Sequence, residues 1–172
     1  MESSAAVVAP ARCRWRVLDN RSAPVASGRF AHAFPPVVPP GGTVLFIDTV
    51  SATFAEADQI ARLDAAIFAE PATTDDAVVS LRVSMVTWRS SEEGGVEVSG
   101  RVENPTSATV NDVMVGIVLR DRTGQILGGL YDIGLPSIEP GAGTTFVTDY
   151  PGAPPMAVED IVTADGIASG TR

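Results

Sequence analysis

Between residues 96 and 150 the chain reads VEVSGRVENPTSATVNDVMVGIVLRDRTGQILGGLYDIGLPSIEPGAGTTFVTDY. Apolar residues alternate there with polar or small ones. Turn-forming residues cut the alternation into short pieces. A period of two sends successive side chains to opposite faces, so each piece can bury one face only as a strand. An amphipathic helix would need its apolar residues three and four positions apart.

The pieces can be taken one by one. Residues 80–88 predict a strand with Leu81, Val83 and Met85 on one face. Val86 and Trp88 fall on the other face, which predicts a bulge near Met85. After the polar turn 90–95, residues 96–103 form the next strand, with Val96, Val98, Gly100 and Val102 in phase. Asn104-Pro105-Thr106 is a turn, and Pro105 rules it out as a glycosylation acceptor. Residues 109–120 form the longest strand: Val113, Val115, Ile117 and Leu119 make a continuous inner face behind a half-apolar outer one. Asp121-Arg122-Thr123-Gly124 is a hairpin turn in which Gly124 supplies positive φ. Further strands are predicted at 125–133, 144–150 and 158–164, separated by turns at 136–143 and 151–155. About seven short strands joined by turns predict a Greek-key β-sandwich.

Part of this pattern occurs twice. Residues 36–47 align with 136–147 without a gap, at an offset of 100. Residues 17–25 align with 118–126 to within one position, and 60–64 with 161–165. The predicted fold is all-β: tandem immunoglobulin-like Greek-key sandwiches, the first incomplete at its N-terminal side. The divisions are a partial repeat at 1–70, a linker at 71–78 and a complete sandwich at 79–172. The first copy enters in the middle of the long strand, near residues 14–17, and nothing matches 80–103. Two expectations follow: the opening strands lie upstream of Met1 in the gene, or a protein partner supplies them by strand addition.

Charge narrows the function classes. The net charge is -9 and the pI about 4.4, with no basic patch evident to neutralise phosphates, which argues against nucleic acid and against anionic membrane surfaces. All twelve basic residues are Arg, a codon bias of GC-rich bacterial genomes. No stretch approaches the length of a membrane span. Glu2 stands where an export signal carries positive charge, so the chain as written shows none.

Chemistry-bearing residues are few. Cys13 is a lone cysteine and predicts a small buried side chain; a Cys13–His32 dyad is the reactive alternative. His- or Cys-based metal sites need more ligands than these two. Glu70, Asp75 and Asp76 near the linker are the candidates for Ca²⁺, against the commoner reading of solvated carboxylates. Asp132 and Asp149, with Tyr131, are the candidates for acid–base work, and their sequence positions give no reason to pair them. Neither a cofactor, a metal site nor an enzyme is predicted.

Near the long strand the residues resemble a family, the bacterial FxLYD domain. Val98-Ser99-Gly100-Arg101-Val102-Glu103-Asn104 follows its V-x-G-x-V-x-N strand and turn. Ile117-Val118-Leu119-Arg120-Asp121 follows F-x-L-Y-D at Leu119 and Asp121, with Ile for Phe and Arg for Tyr. Gly124 and Pro140-Gly141 match the family's turns, and Trp15-Arg16-Val17-Leu18-Asp19 is a looser echo. The resemblance implies an immunoglobulin-like module of a bacterial exported or cell-envelope protein, acting as a spacer or interaction domain without catalysis. The alternative is an accessory domain that binds a small ligand or carbohydrate through its end loops, for which Trp15, Trp88, Tyr131 and Tyr150 are the aromatic candidates.

Overall fold

The computed structural model describes residues 8–38, 43–47, 60–71, 78–92, 94–148 and 157–172. The chain divides into two compact units, Met1–Thr73 and Thr74–Arg172. Both are built of antiparallel strands. Among the described residues the helical content is one 3-10 turn, Val158–Asp160.

Among the described residues the second unit contains six strands: β6 (Val78–Ser90), β7 (Val96–Glu103), β8 (Asn111–Arg120), β9 (Ile126–Leu135), β10 (Gly143–Thr148) and β11 (Thr163–Thr171). Their order is β10-β7-β6-β11-β8-β9. β6 belongs to two sheets. Its first residues, 78–81, pair with β11, and residues 82–90 pair with β7. The strand changes partner between Leu81 and Arg82, and its pairing with β7 is then broken between Ser84 and Thr87, where Met85 takes φ 54. The break falls where the switch of apolar face predicts a bulge, but Met85 itself is 78% exposed and does not share the inner face of Leu81. The strands form a β-sandwich.

The core lies where alternation puts it. Val113, Val115, Ile117 and Leu119 are 0% exposed, as are Val96, Val98 and Val102. Phe146 and Ile138 close the same cluster. Each such side chain contributes roughly 1.5–3 kcal/mol by leaving water, so this row of β-branched residues dominates the unit's stability.

Several boundaries differ from the sequence expectation, and one element moves. The last strand is Thr163–Thr171, not 158–164. Val158 and Ile161 mimic a strand start, but Val158 opens the 3-10 turn and Ile161 caps its end. The true strand is rich in small residues and reads weakly from sequence. Close approach explains those residues: a Cβ on Gly166 would stand 2.6 Å from Val83 Cγ1, and one on Gly170 would stand 2.5 Å from the Asn111 carbonyl. The predicted turn 151–155 and the end of the predicted strand at 149–150 lie outside the described residues.

The first unit contains β1 (Val8–Asp19), β2 (Pro24–Arg29), β3 (His32–Phe34), β4 (Leu45–Ile47) and β5 (Ile60–Pro71). β2-β1-β5 form one sheet and β3-β4 another. Among the described residues, Cys13, Trp15, Leu18, Phe34, Pro35 and Ile47 are buried. β1 is described from Val8 to Asp19, well upstream of residues 14–17, so the repeat does not enter at mid-strand.

The two hairpins repeat each other in detail. Asp19 Oδ1 accepts N–H bonds from Arg21 and Ala23, both 2.8 Å; Asp121 Oδ1 accepts from Thr123 and Gln125 at 2.8 and 2.9 Å. Ser22 takes φ 63 where Gly124 takes φ 83. β1 pairs Val17 with Ala26, β8 pairs Leu119 with Gly128, and the register slips at the next residue of β1 and of β8. The three-strand order β2-β1-β5 repeats β9-β8-β11. The hairpins therefore correspond at an offset of 102, and Asp64 corresponds to Asp165 at 101. The gapless offset of 100 fails at β4: Ile47 is buried, whereas Val147 is 55% exposed. The partner explains the change of phase, since β4 pairs with β3 and β10 pairs with β7.

Candidate functional site

The most unusual surface of the described residues is the β2-β1-β5 sheet of the first unit. Strand alternation fixes its two faces. On β1, Cys13 and Trp15 turn to the buried side, while Arg12, Arg14 and Arg16 are exposed. Register places Arg29 opposite Arg14 and Asp64 opposite Arg16. Arg62 lies two residues along β5 from Asp64, on the same face. Five of the chain's twelve arginines therefore share one sheet face. Global charge conceals them: residues 1–73 hold six Arg against seven carboxylates, residues 74–172 six against fourteen. The absence of a basic patch, read from net charge, does not hold locally. The spacing R-x-R-x-R at positions 12, 14 and 16 was the available signal.

Asp64 organises this face. It accepts from Arg16 at 3.1 Å and from Arg62 at 2.8 Å. Partial desolvation pushes its carboxyl up, and the two guanidinium groups more than offset that, so it titrates below its ordinary value. Arg14 lies 5.4 Å from the centre of the Phe68 ring, a cation–π contact. A groove of about 780 Å³ lies against this sheet, and its lining draws on both faces, Arg14, Arg16, Arg29 and Asp64 from one and Trp15 and Leu63 from the other.

The other face is open along β5. Leu63, Ala65 and Ile67 pair with Val17, Trp15 and Cys13, so they share the buried face. Yet Leu63 is 59% and Ile67 62% exposed. Beneath β2, Gly28 leaves room for Trp15: a Cβ there would meet the indole at 2.7 Å. The Trp15 Nε1 is buried without a hydrogen-bond partner among the described residues.

The remaining candidates from sequence fall as follows. Cys13 is 3% exposed, and burial pushes its thiol pKa up. That suppresses the thiolate a nucleophile needs. His32 sits on β3 with its ring centroid 6.4 Å from that of Phe34. Asp132 accepts the Gly134 N–H at 2.9 Å, a local bond within β9 where its register with β8 breaks. Asp149, Tyr150, Asp75, Asp76 and the Glu70 side chain lie outside the described residues, and with them the Asp132–Asp149 pair and the Ca²⁺ candidates. Trp88 is partly buried against the second unit's core.

Gly100, Asn104 and Asp121, matched in the family resemblance, are structural. A Cβ on Gly100 would meet Phe146 at 2.7 Å. Asn104 is 1% exposed and joins three segments by hydrogen bonds. Asp121 is held below its ordinary value of 3.8, first by the Thr123 hydroxyl, with backbone N–H groups adding to it against a smaller desolvation. A depressed folded pKa contributes stability that is full above the unfolded value and is lost as pH falls through the folded one. Asp121→Asn keeps an acceptor and removes the charge. Its denaturation midpoint should fall below wild type at neutral pH, and the gap should close on acidification below 3.8. A gap independent of pH would remove the carboxylate's charge from the account.

At the loop end of the second unit a smaller cleft of about 340 Å³ is lined by Asp121, Arg122, Leu127, Glu159, Asp160 and Val162. It carries no aromatic platform. No family model, no curated protein and no solved structure matches this chain.

Proposed function

We propose that the chain is a non-catalytic, tandem immunoglobulin-like module akin to the FxLYD domain, acting as an interaction domain of a bacterial exported or cell-envelope protein. The observation that carries this reading is the duplicated Asp-capped hairpin, Asp19 with Asp121, set in the same three-strand order in both units. A duplicated sandwich element whose repeated polar chemistry fixes its turns is built for presenting surface. The resources of the sequence go into Asn104, Gly100 and the two aspartates, each of which fixes backbone. Loops at sandwich ends and edges of open sheets are where such scaffolds make contacts.

Ligand binding through the end loops is the second reading. It would use the cleft beside Asp121, whose carboxylate is already committed to its own turn. The described residues that line it, Asp121, Arg122, Leu127, Glu159, Asp160 and Val162, offer no ring on which a ligand could stack.

The test is made in the source cells. A photo-crosslinking residue is placed at Ile67 or at Val147, both exposed, and the cells are fractionated. Recovery in the envelope or exported fraction with discrete protein adducts supports the module. Recovery in the cytoplasm without adducts at either position overturns it.

A further inference from the structure

β5 has a counterpart in the second unit whose neighbours are all described. That counterpart is β11: each flanks the long strand on the side opposite the hairpin partner. Asp64 faces Arg16 as Asp165 faces Val118, so Leu63, Ala65 and Ile67 correspond to Ala164, Gly166 and Ala168. In the second unit β6 lies beyond β11. Leu81 is opposite Ala168, and Val83 comes within 2.6 Å of where a Gly166 Cβ would be. β6 then passes into the other sheet to pair with β7. The result is a two-stranded cover that leaves Ala168 3% exposed.

In the first unit, among the described residues, β5 is an edge strand. The residues that such a cover would shield are Leu63 and Ile67, larger than their counterparts and more than half exposed. A twelve-residue edge strand with an apolar face is a template for strand addition unless something occupies it. Charge does not blunt this edge on its apolar face: Leu63, Ala65 and Ile67 are uncharged.

We propose that this edge and face receive a β-hairpin from a partner protein, in the manner that β6 and β7 cover β11. The first donor strand runs antiparallel to β5 along residues 67–70, and its alternate apolar side chains cover Ile67, Ala65 and Leu63. Because Leu and Ile stand where the second unit has Ala, the donor carries smaller residues at the positions of Leu81 and Val83. This inference rests on the interaction-module reading and gives it a partner chemistry: an alternating apolar, two-stranded segment.

The probe is a synthetic peptide of residues 78–104 of this chain, with Leu81→Val and Val83→Ala to make room. It is titrated into the intact protein, and amide hydrogen exchange is followed along residues 60–71. Alternate β5 amides should slow at least ten-fold at saturation, while those of β11 stay unchanged. Ile67→Lys should weaken peptide binding at least ten-fold without moving the unfolding midpoint, because Ile67 is 62% exposed. Ile126→Lys, at an equally exposed position of the second unit, should leave binding intact. Unslowed β5 amides, or equal binding to Ile67→Lys, overturn the proposal. So does a homodimer paired through β5 that the peptide does not dissociate. If β5 stays open while envelope adducts form at Val147, the hairpin site falls and the module reading stands.

Discussion

Asn104→Ala should cost the second unit about 3 kcal/mol and lower its melting temperature by roughly 15 °C. The side chain is 1% exposed. Its amide nitrogen donates to the carbonyls of Ala108 and Ile138, both at 2.8 Å. Its Oδ1 accepts from the backbone N–H and the hydroxyl of Thr106, at 2.9 and 2.8 Å. Its main chain adds two more bonds, donating to Ala142 and accepting from Gly141. One residue thus ties the turn after β7 to the strand start at Val110 and to the turn before β10. Alanine leaves the Ile138 carbonyl and the turn amide without their side-chain partner. Buried groups orphaned in this way cost about 1–3 kcal/mol each. Thr106→Val removes only part of the network and should cost about 1 kcal/mol. Calorimetric scans of both variants check the ordering. Equal losses would mean that the turn, and not the buried amide, holds the segments together.

Gly100→Val is the second large effect, at about 1–3 kcal/mol of destabilisation. The backbone angle does not require glycine here, since Gly100 is absent from the positive-φ positions. Space does. An added Cβ would stand 2.7 and 2.8 Å from two atoms of the Phe146 ring and 3.2 Å from the Ser84 carbonyl. Phe146 is 2% exposed and cannot swing into solvent without opening the core. The pair should therefore be non-additive: in the Gly100→Val, Phe146→Leu double variant the loss should be smaller than the sum of the two single losses. Denaturant midpoints of the four proteins close the cycle. An unchanged midpoint for Gly100→Val alone would place residue 100 on the wrong face.

What could be read in advance follows from where information about a side chain's surroundings is local. Val113, Val115, Ile117 and Leu119 alternate with no interruption, and all four are buried as that alternation demands. The bulge at Met85 was visible because the apolar phase flips there. Gly124 and Asp121 declared their turn by residue type alone. The last strand was misplaced because its residues answer to neighbours far away in sequence. Gly166 is small for Val83 and Gly170 for Asn111, and neither constraint leaves a periodic trace. The arginine face was hidden in the same way: R-x-R-x-R is local, but Arg29 and Arg62 join it only through strand register. An edge is a property of what is beside a strand. Nothing within residues 60–71 distinguishes an open strand from a covered one, except the size of Leu63 and Ile67 where the other copy has alanine.

The sharing of β6 between two sheets has a mechanical consequence. Val78 at the start of β6 lies opposite Thr171 at the end of β11, so the strands that open and close the second unit run side by side. Tension applied between those two points would load their hydrogen bonds one after another, as a zipper is drawn. It would not load them together in shear. The contact there spans only residues 78–81 before β6 leaves for the other sheet. The unit would therefore open at low force from this corner, exposing first Val79 and Leu81. A domain with its ends arranged so is poorly suited to carry load along a chain, and well suited to being held by its faces.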